Sequence, residues 1–590
     1  MSDFIANVMA PHSILRRAFP FLRWFPYSGS SFRADFIAGL TVALVLVPQS
    51  MAYAQLAGLP PYYGLYAAFL PVMVAALWGS SNQLGTGPVA VVSLLTASAL
   101  EPLAASGSEA FIALAILLAL LVGIVQLTLG VFKLGIIVNF LSHPVIVGFT
   151  NAAAIIIALS QVSKLIGVPM GRSEHFIADI WGVVQKIGHT HGPTLAMGVV
   201  AIALIWGFRR WAPKLPGVLI AVTVTTAASW LLEFNTVLGG QIVGKVPEGL
   251  PSMNLPAISW QMIGTLLPTA IVISLVGFME AISIAKAIAA KTKQKIDPNQ
   301  ELIGQGLANL VGAMTQAFPV SGSFSRSAVN INAGAATGMS SVFTGAFVLL
   351  TLLFLTPLLY HLPQPVLAAV IIMAVVGLVN FDAVKHAWQA SRHDGVAAIV
   401  TFLATLAFAP HLDTGILIGA GLAVGLYLYR TMTPRIAILG RHSDGSLRDA
   451  RVHNLPASEV VTAVRFDGSL YFANVAYFED AILEAVASNP KAKYLLVVGN
   501  GINELDASGE EVMHHLTDSL RAGGVTLVFS GLKKQVVDVM RATGLLDHIG
   551  EARLFPTADM ALAAIHDWAV ASGEGDAASP LRPVPVKRFG

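Results

Sequence analysis

Cysteine is absent from the 590 residues, which excludes disulfides, thiolate metal sites and cysteine nucleophiles. Charge is also scarce. Asp, Glu, Lys and Arg together make 12% of the chain, against about 25% in a soluble globular protein. The formal net charge of +2 gives no bulk attraction to nucleic acid. The histidines are scattered without ligand spacing, so no metal site is expected. No nucleophile and base are grouped as an enzyme would need. No cleavable signal peptide is expected: the first apolar run starts near Phe36 and is too late and too long for one.

Apolar sequence takes the place of charge. Hydrophobic residues make 55% of the chain and the mean hydropathy is +0.71. The runs are too numerous for a single anchor and describe an α-helical polytopic membrane protein. At ~20 residues per span, full spans fall near 35–56, 62–79, 110–131, 138–165, 193–209, 216–233, 265–290, 300–316, 338–359, 365–380, 396–410 and 413–430. Two shorter segments, near 87–101 and 323–335, begin at breaks in the helical pattern. The total is about fourteen, or seven plus seven. An odd number per half turns the second half upside down relative to the first, as an inverted repeat requires.

Basic residues orient the spans. With residues 1–34 inside, carrying Arg16, Arg17, Arg23 and Arg33, the inner loops hold Lys133, then Arg209, Arg210 and Lys214. Lys291, Lys293 and Lys295 follow, then Lys385 and Arg392, then Arg430 and Arg435. The outer loops hold mainly Arg172 and Lys245. By the positive-inside rule both termini are cytoplasmic. The membrane region is thus bounded at 35–435. Residues 436–451 read as a polar linker, 452–570 as a soluble α/β domain, and 571–590 as a disordered tail. Strands are expected at Val460–Phe466, Leu495–Val498 and Val525–Phe529, with helices at Ala476–Ala487, Gly509–Ala522 and Leu532–Thr543.

The two breaks carry the chemistry. The first reads Gly85-Thr86-Gly87-Pro88-Val89-Ala90-Val91 and the second Phe318-Pro319-Val320-Ser321-Gly322-Ser323-Phe324-Ser325-Arg326-Ser327. Paired interruptions of this kind point to half-helices meeting mid-membrane, whose free amides make an anion site. The helix dipole contributes about 0.3–1 kcal/mol when exposed. A full charge at 4 Å gives about 4 kcal/mol at an effective dielectric of 20, before desolvation. Arg326 therefore dominates the field, while amides and the hydroxyls of Ser321, Ser323, Ser325 and Ser327 set geometry. The other reading of Arg326 is a pair with an acidic residue or a loop tether. In the first span, Gln49 and Tyr53 share a helix face beside Pro48. They suit either an oxyanion pocket or polar helix packing. Glu280, alone in an apolar span, is either a proton or sodium coupling site or a partner of Arg326 or Lys286. Asn330 and Asn332 are placed near the same region.

These residues resemble the sulfate permease (SulP) family of anion transporters. The strongest runs are Lys295-Ile296-Asp297-Pro298-Asn299-Gln300-Glu301-Leu302, Gly306-Leu307-Ala308-Asn309 and Gln316 through Arg326. Val47-Pro48-Gln49-Ser50-Met51-Ala52-Tyr53-Ala54 and Leu59-Pro60-Pro61-Tyr62-Tyr63-Gly64-Leu65 also match. The resemblance implies 7+7 inverted repeats divided into core and gate domains, an elevator-like motion and a homodimer. It places substrate binding on Gln49, Tyr53, Val89, Ala90, Ser323, Phe324, Ser325 and Arg326, and cation coupling or pairing on Glu280. Leu505-Asp506-Ala507-Ser508-Gly509 is similar to STAS domains. Where phosphorylated bacterial antagonists of that kind carry the acceptor serine, this chain has Ala507, with Ser508 next.

The expectation is a secondary transporter of a small inorganic or organic anion in the cytoplasmic membrane, in contact with lipid. Sulfate comes first; bicarbonate and C4-dicarboxylates are the rivals within the family, and an anion channel is the rival of another class. No cofactor is expected beyond a coupling proton or sodium ion.

Overall fold

The computed structural model describes residues 19–136, 141–171, 175–212, 215–247, 249–254, 259–573 and 579–582. Arg16, Arg17, Arg172 and Lys214, used above for orientation, lie outside them. The chain forms two units, Met1–Ala423 and Val424–Gly590.

The first unit is helical. Its elements in chain order begin with α1 (Gly29–Leu56), α2 (Tyr63–Ala67), α3 (Leu70–Trp78), β1 (Gly85–Gly87) and α4 (Ala90–Leu100). They continue with α5 (Glu109–Val131), α6 (His143–Ile166), α7 (Phe176–Gln185), α8 (Gly192–Trp211) and α9 (Gly217–Leu231). The same order then recurs. It runs α10 (Trp260–Thr292), α11 (Pro298–Met314), β2 (Ser321–Ser323), α12 (Phe324–Asn332), α13 (Met339–Leu350) and α14 (Gln364–Val375). It closes with α15 (Phe381–Ala390), α16 (Arg392–Ala407) and α17 (Leu412–Met432), which runs into the second unit. With α2 and α3 counted as one broken span and the short α7 and α15 set aside, each half supplies seven segments. This is the 7+7 repeat. Among the described residues eight helices are long and apolar enough to cross a membrane by length and composition; α4 and α12 are short because each starts at a break in the chain.

Local signals explain the boundaries. Ser28 caps α1 by accepting from Ser31 N at 3.1 Å. Asp297 caps α11 by accepting from Asn299 N at 2.9 Å, with Pro298 at the first helical position. The expected span 62–79 is broken: α2 ends at Ala67, and α3 restarts at Leu70 with Pro71 in its first turn. The expected span 338–359 changes from α-helix to a π-turn over Thr351–Leu355 and a 3-10 turn over Thr356–Leu359. Pro357, which cannot donate, falls in that last turn.

Two packed groups of helices match the core and gate division. In one, α11 lies against α5 and α3, α13 against α1 and α3, and α10 against α5. In the other, α6 meets α16 and α14, and α8 meets α14 and α9. Without a water-driven hydrophobic effect inside lipid, close helix approach depends on small residues. A Cβ on Gly306 of α11 would lie 2.5 Å from Leu127 N of α5, and one on Gly123 of α5 would lie 2.7 Å from Leu310 N.

The second unit holds a six-stranded mixed sheet in the order β4-β3-β5-β6-β7-β8. Its elements are β3 (Arg435–Arg441), β4 (Leu447–Asp449), α18 (Ala450–His453), β5 (Val461–Asp467), α19 (Val475–Ala487), β6 (Tyr494–Val498) and α20 (Ala507–Ala522). β7 (Thr526–Ser530), α21 (Lys534–Thr543), α22 (Leu545–Ile549), β8 (Leu554–Phe555) and α23 (Ala558–Ala571) complete it. Strands β5 to β8 pair in parallel, and β3 is antiparallel to both its neighbours.

Two boundaries differ from expectation. The stretch 436–451, expected to be a linker, forms β3, β4 and α18. Its alternating Ile436, Ala437, Ile438 and Leu439 feed both faces of the sheet, a period-2 signal hidden between Arg435 and Arg441. Within the expected disordered tail, Leu581 is only 2% exposed and packs among Ala561, Leu562 and Ile565. Residues 574–578 and 583–590 lie outside the described part.

Candidate anion-binding site

The two sequence breaks meet. β1 and β2 pair antiparallel in the register Gly85↔Ser323, Thr86↔Gly322 and Gly87↔Ser321. Small residues allow this: β1 and β2 are buried throughout, and Gly87 takes φ 144°, where side chains are disfavoured. Beyond the crossing the chain enters α4 on one side and α12 on the other. α4 has no side-chain cap at Val89, so its first amides are left without an intrahelical partner or a capping oxygen. α12 is capped by Ser323, whose Oγ accepts from Arg326 N at 3.5 Å.

Arg326 spans the gap. It is fully buried. Its Nη1 donates to Pro88 O at 2.7 Å and to Gln49 Oε1 at 3.5 Å. Its Nε and Nη2 are buried without a partner among the described residues. These two nitrogens share one edge of the planar guanidinium and present two parallel N–H donors, the geometry that grips an oxyanion through two oxygens. Gly87 keeps that edge clear, since a Cβ there would lie 3.3 Å from Nη2. Gln49 Nε2 donates to Tyr53 Oη at 3.2 Å, so the two first-span residues form one polar wall beside the guanidinium. Val89 and Ala90 are both buried at the start of α4.

Glu280 lies on α10 one turn after Gly277, whose carbonyl accepts from Ser321 Oγ at 2.7 Å. Tyr53 is within electrostatic reach of both Glu280 and Arg326. Among the described residues no hydrogen bond or ion pair joins Glu280 to Arg326 or Lys286.

The serines divide into two kinds. Ser321 Oγ is used on Gly277. Ser327 Oγ donates to Ser323 O at 2.6 Å and accepts from Gly85 N at 2.8 Å. Both are therefore committed to holding the crossing and are not free donors. Ser323 and Ser325 face each other with oxygens 3.3 Å apart. The buried positions of α12 are Arg326, Ser327 and Asn330, which with the capping Ser323 lie on one face at i, i+3, i+4 and i+7. Phe324 and Ser325 fall off that face and are both exposed, Phe324 at 66%. Asn330 donates to Gln83 O at 3.3 Å and Asn332 is exposed; neither faces the guanidinium edge through a hydrogen bond.

Several supporting residues were missed in the sequence. Asn309 accepts from Val320 N at 2.8 Å and donates to Val320 O at 3.1 Å, fixing the approach to β2. Gln305 donates to Thr86 Oγ1 at 2.9 Å. Both sit in the Gly306–Asn309 neighbourhood quoted above, where the signal was amide side chains one turn apart on an otherwise apolar helix.

Residues 32–401 match the model of the sulfate permease family, and residues 453–561 match that of the STAS domain. The chain belongs to the sulfate permease family. Its relatives are named as transporters. Sulfate transporter 4.1, chloroplastic, of Arabidopsis thaliana is 36% identical over 564 residues, covering 91% of this chain and 81% of that protein. A probable sulfate transporter of Mycobacterium tuberculosis is 31% identical over 536 residues, covering 90% and 95%. The sodium-independent sulfate anion transporter of Bos taurus is 33% identical over 567 residues, covering 90% and 89%. Among solved structures, SLC26A9 superposes with a TM-score of 0.86 at 23% identity, covering 97% of this chain and 95% of that one. The transmembrane domain of the cyanobacterium bicarbonate transporter BicA gives 0.57 at 21% identity, covering 68% and 98%. At these identities the two structures establish the shared fold of this sulfate permease family member.

Proposed function

We propose that this protein is a secondary active transporter of a small oxyanion, sulfate before others, in the cytoplasmic membrane. The reading rests on one observation: the unpartnered Nε–Nη2 edge of Arg326, buried where two half-helices begin. A buried cation with half its donors unused is costly unless an anion completes it. The sulfate-transporter names of the relatives support the choice of ion. In this reading Gln49, Tyr53, Ser323 and Ser325 orient the anion, and the amides of Val89 and Ala90 face it. The two packed helix groups suit an elevator-like exchange of access, in a homodimer with both termini inside.

Coupling follows from energetics. Each charge moved against 100 mV costs about 2.3 kcal/mol, so an uncoupled dianion would be strongly opposed by an interior-negative potential. Glu280, beside the crossing and free of an ion pair among the described residues, is the group to carry a proton or to bind sodium.

Uptake of labelled sulfate into proteoliposomes, under separately imposed pH and sodium gradients, tests the whole reading. One of the two gradients should drive accumulation, and Glu280→Gln should abolish that dependence. Uptake indifferent to both would remove the coupling. Competition by bicarbonate or fumarate outranking sulfate would reassign the substrate, and currents without exchange would make the protein a channel.

A further inference from the structure

Two buried carboxylates lie outside the anion site. Glu301, in the first turn of α11, accepts from Ser80 N at 2.6 Å, Ser81 N at 2.5 Å and Ser80 Oγ at 2.8 Å. These donors belong to the loop that leads from α3 into β1. The same polar run grips that loop further: Gln300 Nε2 donates to Trp78 O at 2.7 Å, and Gln294 Oε1 accepts from Asn82 N at 3.1 Å. Asp35, in α1, accepts from Ala336 N at 2.7 Å, Thr337 N at 2.9 Å, Thr337 Oγ1 at 2.6 Å and Tyr27 Oη at 2.9 Å. Its main-chain donors belong to the loop that leaves α12. Each carboxylate thus sits in one repeat and holds a loop of the other.

Gln83 joins the two grips. Its Nε2 donates to Ala335 O at 3.1 Å, its Oε1 accepts from Gln294 Nε2 at 2.5 Å, and its carbonyl accepts from Asn330 Nδ2 at 3.3 Å. Gln83 stands two residues before β1, and Asn330 stands one turn beyond Arg326. A tie between them fixes the start of one broken span against the body of the other.

We propose that Glu301, Asp35 and Gln83 are positioning residues for anion binding. They set the separation of β1 and α12 from outside the pocket, and so keep the Arg326 edge at the start of α4. Charge-assisted bonds to backbone amides are short and directional, and an oriented site tolerates displacements of only about 0.5 Å. The inference assigns a role to the run Lys295–Leu302, and it rests on the anion-site reading above.

The test uses the full-length protein in proteoliposomes. Half-saturation and maximal rate of labelled sulfate uptake are measured for Glu301→Gln, Asp35→Asn, Gln83→Met, Ser80→Ala and Arg326→Lys. Gln83→Met removes the side-chain bonds to Ala335 O and Gln294 Nε2, keeps the main-chain bond from Asn330 and leaves both carboxylates with their donors, so it reports even where a carboxylate variant does not assemble. Ser80→Ala deletes one hydroxyl donor and spares both amides. The expected result is half-saturation raised about tenfold for Glu301→Gln and Asp35→Asn, as for loss of a charge-assisted bond. A smaller rise is expected for Gln83→Met, and the smallest for Ser80→Ala. Lower maximal rates with unchanged half-saturation in Gln83→Met and the carboxylate variants, while Arg326→Lys raises it, would overturn the positioning role alone. Unchanged half-saturation in Arg326→Lys would overturn the anion-site reading and this proposal with it.

Discussion

Arg326 reaches across 238 residues of sequence to donate to the carbonyl of Pro88 at 2.7 Å. One nitrogen is thereby spent on holding the two half-spans together, and the opposite edge is left for a ligand. Under the proposed function the residue is both joint and receptor, and substitutions separate the roles. Arg326→Ala should weaken sulfate binding by about a hundredfold or more, as expected for two lost charge-assisted bonds. Arg326→Lys keeps the charge but not the paired donors and should fall between. Calorimetric titration in detergent, alongside the yield of folded protein, measures both.

Gly87→Ala probes the crossing without touching a charge. The backbone at φ 144° disfavours a side chain, a strain of about 1–3 kcal/mol. The new methyl would also stand 3.3 Å from Nη2. The variant should melt at a lower temperature and bind sulfate more weakly, with thermal unfolding and titration as the two readouts.

Legibility differed between levels. The broken spans could be read because glycine and proline interrupt an apolar run in both halves, at Gly87-Pro88 and at Pro319 to Gly322. The commitments of individual hydroxyls could not be read. Ser321 and Ser323 look alike in sequence, yet one is consumed by Gly277 O because β2 lies against α10. Asp35 and Glu301 were equally opaque, since each is explained only by amides roughly 300 and 220 positions away. In the second unit, β3 was hidden because its short apolar alternation is bracketed by arginines.

Leu581 offers a stability test in that unit. It fills a place among Ala561, Leu562 and Ile565, and its carbonyl accepts from Arg441 Nη2 at 3.2 Å. Leu581→Ala should cost about 2 kcal/mol, the low end for a buried leucine. Faster hydrogen exchange in α23 of the full-length protein would register it.

The turn joining β3 to β4 carries a pH signature. Hydrogen bonds from the Ser446 hydroxyl at 2.6 Å and amide at 2.9 Å, with His442 and Arg448 adding to them, hold the Asp444 carboxyl well below the usual carboxylate range. A depressed native value gives stabilisation that is complete above the unfolded value of about 3.9 and fades as pH falls through the native one. Protection of the Ser446 amide should therefore exceed that of Asp444→Asn at neutral pH. The gap should narrow on acidification below about pH 4.

The register between β1 and β2 is written almost wholly in main chain. Main-chain pairing is indifferent to the identity of the side chains around it, as long as they remain small at the point of contact. The joint can therefore stay fixed while the walls proposed to meet the ion are exchanged. Selectivity in such a molecule is open to redesign one wall residue at a time, with the hinge of the architecture left untouched.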